Sequence, residues 1–197
     1  MLGALLTWIF HRFGWKLLGP HPTVPKALWL VSPHTTNWDF PIGLWIRHEM
    51  GIYIGFLAKS SLFGWYSGWL FRALGGTPVY RNKSNNFVEA VAETFARHQT
   101  LHVSIAPEGT RGDVSKLKSG FYYMAHRANI PLVLVGFNWP TRRVTVSEPI
   151  YLTGNYQEDM RPVYAFYAAL PAPHKTWLRQ WEQTGIIPAP ASVATVK

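Results

Sequence analysis

Between Ala27 and Phe40 the chain passes from a short apolar run, ALWLVS, into Ser32-Pro33-His34-Thr35-Thr36-Asn37-Trp38-Asp39-Phe40. His34 carries the side chain best suited to moving a proton near neutral pH. Asp39 follows five positions later, the wrong interval for neighbours on one helix face. The pair works if His34 sits on a loop and Asp39 near a helix start, so that the chain folds back. The carboxylate then accepts one imidazole N–H, fixes the tautomer and leaves the other nitrogen free as a base. The plainer alternative has Asp39 capping the helix and His34 as a satisfied loop histidine.

A second cluster, Ala106-Pro107-Glu108-Gly109-Thr110-Arg111-Gly112, also follows a strand-like run. Gly109 and Gly112 permit tight backbone geometry and close approach of a ligand. Arg111 offers a planar fork suited to phosphate, and Glu108 is placed to brace the turn or the arginine. Lys116 and Lys118 precede Gly120 and a predicted helix start, a natural anion site. Solvated charges on a surface turn are the competing reading. In the stretch from Lys59 to Arg81, Gly75-Gly76 with Thr77-Pro78 marks a sharp turn, and Lys59, Arg72 and Arg81 add cations that read singly as surface charges.

These clusters need strands and helices to hold them. Strands are predicted at Ala27 to Ser32, Ile52 to Ala58, Thr77 to Tyr80, Leu101 to Ala106 and Pro131 to Phe137. Arg142 to Glu148 alternates as an edge strand would. Helices are predicted at Asp39 to Met50, Trp65 to Leu74, Asn86 to Gln99, Gly120 to Ala128, from Gly154 to about Leu170, and at Trp177 to Gln183. Asn86 with Glu89 is a near-match to a capping box. This alternation predicts one α/β domain with a mostly parallel mixed sheet flanked by helices. The expected division is an amphipathic helix over 1–20, the main domain over 21–184 and a loose tail over 185–197.

The 197 residues suffice for one sizeable core. They are 48% hydrophobic and 15% aromatic, too apolar for a disordered chain. No apolar run reaches the eighteen or so residues of a membrane span. With no cysteine there is no disulfide framework, zinc ribbon or cysteine nucleophile, and the composition fits a reducing compartment. A net charge of +9 expects an anionic partner. Leu2, Leu6, Phe10, Phe13 and Leu17 share one helical face, with His11, Arg12 and Lys16 opposite. The segment lacks the order of a secretory signal and suits a helix lying among lipid headgroups, against the alternative of an ordinary packed helix.

Taken in order, the clusters resemble the glycerolipid acyltransferase superfamily, specifically the 1-acyl-glycerol-3-phosphate acyltransferases. His34 and Asp39 match that family's histidine–four residues–aspartate motif. Gly75-Gly76-Thr77-Pro78-Val79-Tyr80-Arg81 matches its second block and Pro107-Glu108-Gly109-Thr110-Arg111 its third. Leu117-Lys118-Ser119-Gly120 resembles the basic segment that follows, and Ile130-Pro131-Leu132-Val133 matches the fourth block. The likeness runs from about Ala27 to Ile150. It departs at Ser32-Pro33 and Thr35-Thr36 around the histidine and at Ser119, where a second lysine is frequent. The chain before His34 leaves room for one membrane-associating helix.

The resemblance implies transfer of a fatty acyl group from acyl-CoA or acyl carrier protein to a lysophospholipid hydroxyl. His34 would be the general base and Asp39 its support. Lys59, Arg81, Glu108, Gly109, Thr110, Arg111 and Lys118 would form the substrate-binding set, the cations holding the acceptor phosphate and backbone N–H groups of the third block the oxyanion. No metal or resident cofactor is expected, and no metal-ligand spacing occurs. The expected partner is an anionic membrane surface on the cytoplasmic face. Rival expectations are an acyltransferase for a non-phosphate lipid, a non-catalytic lipid-surface binder and, from the charge, a nucleic-acid binder. The last lacks any recognition motif, and the aromatics cluster in apolar runs instead of alternating with cations.

Overall fold

The computed structural model describes residues 2–79, 84–171 and 174–190. The chain runs α1 (Leu2–Arg12), β1 (Lys16–Leu18), β2 (Lys26–Ser32), α2 (Asp39–Glu49), β3 (Ile54–Lys59), a 3-10 helix (Ser60–Phe63), α3 (Gly68–Ala73), β4 (Gly76–Val79) and α4 (Ser84–Arg97). It continues through β5 (Leu101–Ile105), α5 (Gly120–Ala128), β6 (Leu132–Asn138), β7 (Arg143–Val146), α6 (Tyr156–Ala168) and α7 (Thr176–Thr184). The seven strands form one sheet in the order β1-β7-β6-β2-β5-β3-β4. Every neighbouring pair is parallel except β6 with β7.

Strand β2 shows how the layers form. Successive side chains point to opposite faces, so Leu28 and Leu30 enter one core with α4, α5, α6 and α7. Ala27 and Trp29 enter the other, with α1 and α2. Both faces of β2 are therefore buried, as a central parallel strand requires. Trp29 is sheathed in apolar neighbours and satisfies its indole N–H on His102 Nδ1 at 3.1 Å. Trp45 of α2 is fully buried and stacks on Phe10 of α1, with ring centroids 5.2 Å apart. Burial of side chains this large contributes about 2–3 kcal/mol each.

The N-terminal expectation needs correction. The helix ends at Arg12, the chain turns through Gly14 at φ +76°, and Lys16–Leu18 becomes a strand parallel to β7. Leu6 and Phe10 are spent on packing against α2, while Leu5, Trp8 and Phe13 face outward. Because β1 covers β7, the 143–146 strand is not the sheet edge its alternation suggested. Two further differences are local. The 65–74 helix shrinks to Gly68–Ala73 behind a 3-10 turn. The next helix begins at Ser84, two residues before the expected Asn86 start. The tail is packed at its beginning: Ile187 is buried and its carbonyl accepts a bond from Gln157 Nε2 at 3.1 Å. Residues 191–197 lie outside the described residues.

Candidate active site

β2 and β5 lie side by side and parallel, with Leu30 opposite Ile105. The chain leaves β2 toward β3 on one side and leaves β5 toward β6 on the other. The loops at their C-terminal ends therefore border the crevice where an open α/β sheet places ligands. Residues 33–38 form one wall and residues 106–119 the other.

His34 Nδ1 lies 2.8 Å from Asp39 Oδ2. A carboxylate only accepts, so Nδ1 carries the hydrogen, and in the neutral ring Nε2 is the nitrogen with the lone pair. The same oxygen accepts the N–H groups of Thr35 at 2.8 Å and Thr36 at 3.0 Å, which is how five residues fold back on themselves. Oδ1 accepts the indole N–H of Trp139 at 3.2 Å. Asp39 is the first residue of α2, but its oxygens serve the loop, and Trp38 at the N-cap makes no side-chain capping bond. Burial alone would push the Asp39 carboxyl up. The bonds from His34, Thr36 and Thr35, with the imidazole charge, outweigh it and hold the group below the usual carboxylate range. His34 Nε2 has no hydrogen-bond partner among the described residues.

Glu108, expected in the substrate-binding set, is instead an internal brace. It is 1% exposed and faces the histidine loop. Ser32 Oγ donates to Oε1 at 2.6 Å, and the His34 N–H donates to Oε2 at 3.2 Å. Lys175, immediately before α7, pairs with Oε2. Its ammonium also donates to the His34 carbonyl at 2.8 Å and the Gly112 carbonyl at 3.1 Å. One buried cation thus ties together the histidine loop, the Glu108 turn and the Arg111–Gly112 bend.

Beside His34 opens a cavity of about 470 Å³ on the α2 side of the sheet. Trp29, Val31, Phe56, Phe71, Val135 and Phe137 supply apolar walls. His34, Asp39 and Arg111 share its lining, and so does Arg47, whose guanidinium donates to the Leu74 carbonyl at 2.6 Å. A volume of this order falls within the roughly 300–1,000 Å³ typical of small-ligand sites.

The remaining expected residues divide. Arg111 is exposed and reaches the cavity. Gly109 takes φ +66°, and a Cβ there would meet the Lys118 side chain at 2.8 Å, so the lysine crosses directly over this glycine. The Gly109 N–H closes the turn on the Ala106 carbonyl at 3.0 Å, which engages it away from any oxyanion. Thr110 is exposed and accepts the Gly112 N–H at 3.3 Å. Lys59 ends β3, exposed and outside the cavity lining. Arg81 lies outside the described residues. Two contributors escaped the sequence reading. Trp139 was one tryptophan among ten, and Lys175 sits in the PAPHK stretch, where no motif or periodicity distinguishes it.

A family model described as Acyltransferase matches residues 22–138. No curated protein matches the chain. Among solved structures, it is similar to the 1-acyl-sn-glycerophosphate (LPA) acyltransferase PlsC from Thermotoga maritima, at 16% identity and a TM-score of 0.51. That similarity covers 95% of this chain and 80% of the other. At such identity the likeness is one of fold. Trp139 and Lys175 both fall beyond the matched family segment.

Two outcomes follow from this geometry. Lys175→Met strands the Glu108 carboxylate in the interior and costs about 3–5 kcal/mol in urea unfolding. The double variant Glu108→Gln, Lys175→Met recovers part of that loss, and additive losses would break the pairing. Asp39 stabilises the fold above the ordinary carboxyl pKa of about 3.9, and this contribution fades as pH falls through its lower native value. Asp39→Asn therefore flattens the acid limb of the stability–pH curve. Parallel acid limbs for the variant and the wild type would remove Asp39 from that role.

Proposed function

This chain belongs to the acyltransferase family, and on that premise we propose that it moves a fatty acyl group from acyl-CoA or acyl carrier protein to a lysophospholipid hydroxyl. The acceptor that fits best is 1-acyl-glycerol-3-phosphate, giving phosphatidic acid. The name of the PlsC relative supports this choice, as does the sequence order of the His34, Gly75-Gly76 and Glu108 blocks. The observation that carries the reading is the His34–Asp39 pair, 2.8 Å apart, at one end of a largely apolar cavity of about 470 Å³.

In this reading the acyl chain lies between the phenylalanines of the cavity wall, with its thioester carbonyl toward His34. The acceptor hydroxyl gives its proton to Nε2 as its oxygen attacks that carbonyl. The new C–O bond forms, the tetrahedral centre collapses with cleavage of the C–S bond, and the imidazolium returns the proton to the departing thiolate. Asp39 holds the ring in the productive tautomer and stabilises its positive charge while the proton is on it. Attack is direct, without an acyl-enzyme. Arg111 and Lys118, with Lys59 and Arg81, hold the acceptor phosphate, a positioning role that fixes the hydroxyl against the thioester. The reaction calls for no resident cofactor.

His34→Ala lowers kcat by about 10² to 10⁴ while the protein still folds, measured by thioester consumption with lysophosphatidic acid and by circular dichroism. A variant that keeps most of the wild-type rate would end the assignment of His34 as base. Arg111→Ala raises KM for a phosphorylated acceptor far more than for monoacylglycerol. Equal losses on the two acceptors would remove the phosphate from the scheme and favour an uncharged lipid.

A further inference from the structure

The two faces of the sheet are finished differently. On one side α1, α2 and the segment 60–73 lie in a row: Phe10 of α1 stacks on Trp45 of α2, and Phe40 of α2 meets Phe71 of α3 at 5.8 Å. Below, Phe40, Phe56, Phe63 and Phe71 form a chain of ring contacts at the cavity wall. Above, the same segment turns Trp65 (94% exposed), Tyr66, Trp69 (68%) and Leu70 to solvent. Leu62 is exposed and also lines the cavity, so the outer apolar surface is continuous with the inner one. Trp8 of α1, across α2 from this segment, is also exposed, at 66%. Contiguous exposed rings on this scale mark an interaction surface.

Charge selects the partner. Residues 1–83 contain eight lysines and arginines and only two acidic residues, Asp39 and Glu49, so six of the nine net positive charges lie there. Both acids are engaged internally. Asp39 is buried on His34, and Glu49 lies 3.2 Å from His11 Nε2 and accepts the Trp45 indole N–H at 3.2 Å. From Gly51 to Lys83 there is no acidic residue at all, while Lys59 and Arg72 are exposed beside the aromatic segment. Tryptophan and tyrosine rings favour the depth of lipid headgroups, and cations favour an anionic leaflet.

We propose that the segment 60–73 is the principal membrane-docking element of this protein, seating Trp65, Tyr66, Trp69 and Leu70 in the headgroup region of an anionic bilayer. The N-terminal helix is then an accessory, because its Leu6–Phe10 stripe is already occupied by α2. Docked in this way, the cavity opens beside the leaflet through Leu62, and a single-chain lipid can enter from the membrane plane without crossing water. The proposal takes from the proposed reaction only that the cavity receives a lipid chain.

The test is substrate-free binding of the full chain to phosphatidylcholine vesicles with and without phosphatidylglycerol. It compares wild type with the double variants Trp65→Ser, Trp69→Ser and Leu5→Ser, Trp8→Ser. None of the four residues lines the cavity, so acyl transfer between detergent-dispersed substrates should be unchanged in both variants. Removing Trp65 and Trp69 weakens binding to the anionic vesicles by about tenfold or more, the equivalent of 1.4 kcal/mol. The Leu5, Trp8 variant loses much less. Wild-type binding by the Trp65, Trp69 variant, or the larger loss from the α1 variant, overturns the assignment. So does a dimer in sedimentation that the Trp65, Trp69 variant dissolves without change in vesicle binding, since a second copy would then be the occupant. Vesicle binding without any acyl transfer leaves the docking assignment standing and sinks only the proposed reaction.

Discussion

A carboxylate removed from water must be answered by donors, and the candidate site is organised around one that is. Glu108 gathers the Ser32 hydroxyl and the His34 N–H from one segment of the chain and the Lys175 ammonium from another. Its partners stand 76, 74 and 67 residues away in sequence. An unpaired charge at that depth would cost several kcal/mol, so the three segments are obliged to come together as the core closes. Once they do, the loop bearing His34 is fixed from its N-terminal side by Glu108 and from its C-terminal side by Asp39. The imidazole has little freedom left except at the edge facing the cavity. Preorganisation of this kind is what a base needs if the proton is to move without prior rearrangement.

The two carboxylates therefore divide the work. Asp39 touches the ring and sets its tautomer, whereas Glu108 touches only the backbone of His34 and sets where the ring begins. Both belong to loops at the same edge of the sheet because β2 and β5 are adjacent and parallel. Exchange of strand order in the middle of the sheet, with one connection passing to each side, leaves the crevice that these loops border. The acyltransferase family motifs thus become neighbours through topology, although they are far apart in the chain.

Much of this was legible beforehand, and the reasons are local. ALWLVS and PLVLVGF could hardly be other than buried strands, and the Gly120–Ala128 helix starts and stops where its pattern says. The His34–Asp39 contact was readable because the loop is only five residues long and both groups have complementary chemistry. For Glu108 the residues themselves offer a bracing role and the resemblance a substrate-binding one; a motif names a residue without saying which way its side chain turns, and here that direction depends on Ser32 and Lys175. Lys175 and Trp139 were invisible for the converse reason: their roles come entirely from distant contacts. The N-terminal segment misled through its periodicity. A five-residue apolar stripe is compatible with a helix over 1–20, but Gly14 and the open edge of β7 favour a turn and a strand.

That short first strand has a bearing on how the molecule is made. Lys16 pairs with Arg143, so α1 and β1 precede the strand that will receive them by well over a hundred residues. A ribosome delivers them long before β7 exists, and Trp15 and Leu17, whose partners are Trp139 and Val144, must wait unsheltered. Contacts between segments this far apart in the chain form slowly, and apolar segments that wait are those on which nascent chains most readily go astray.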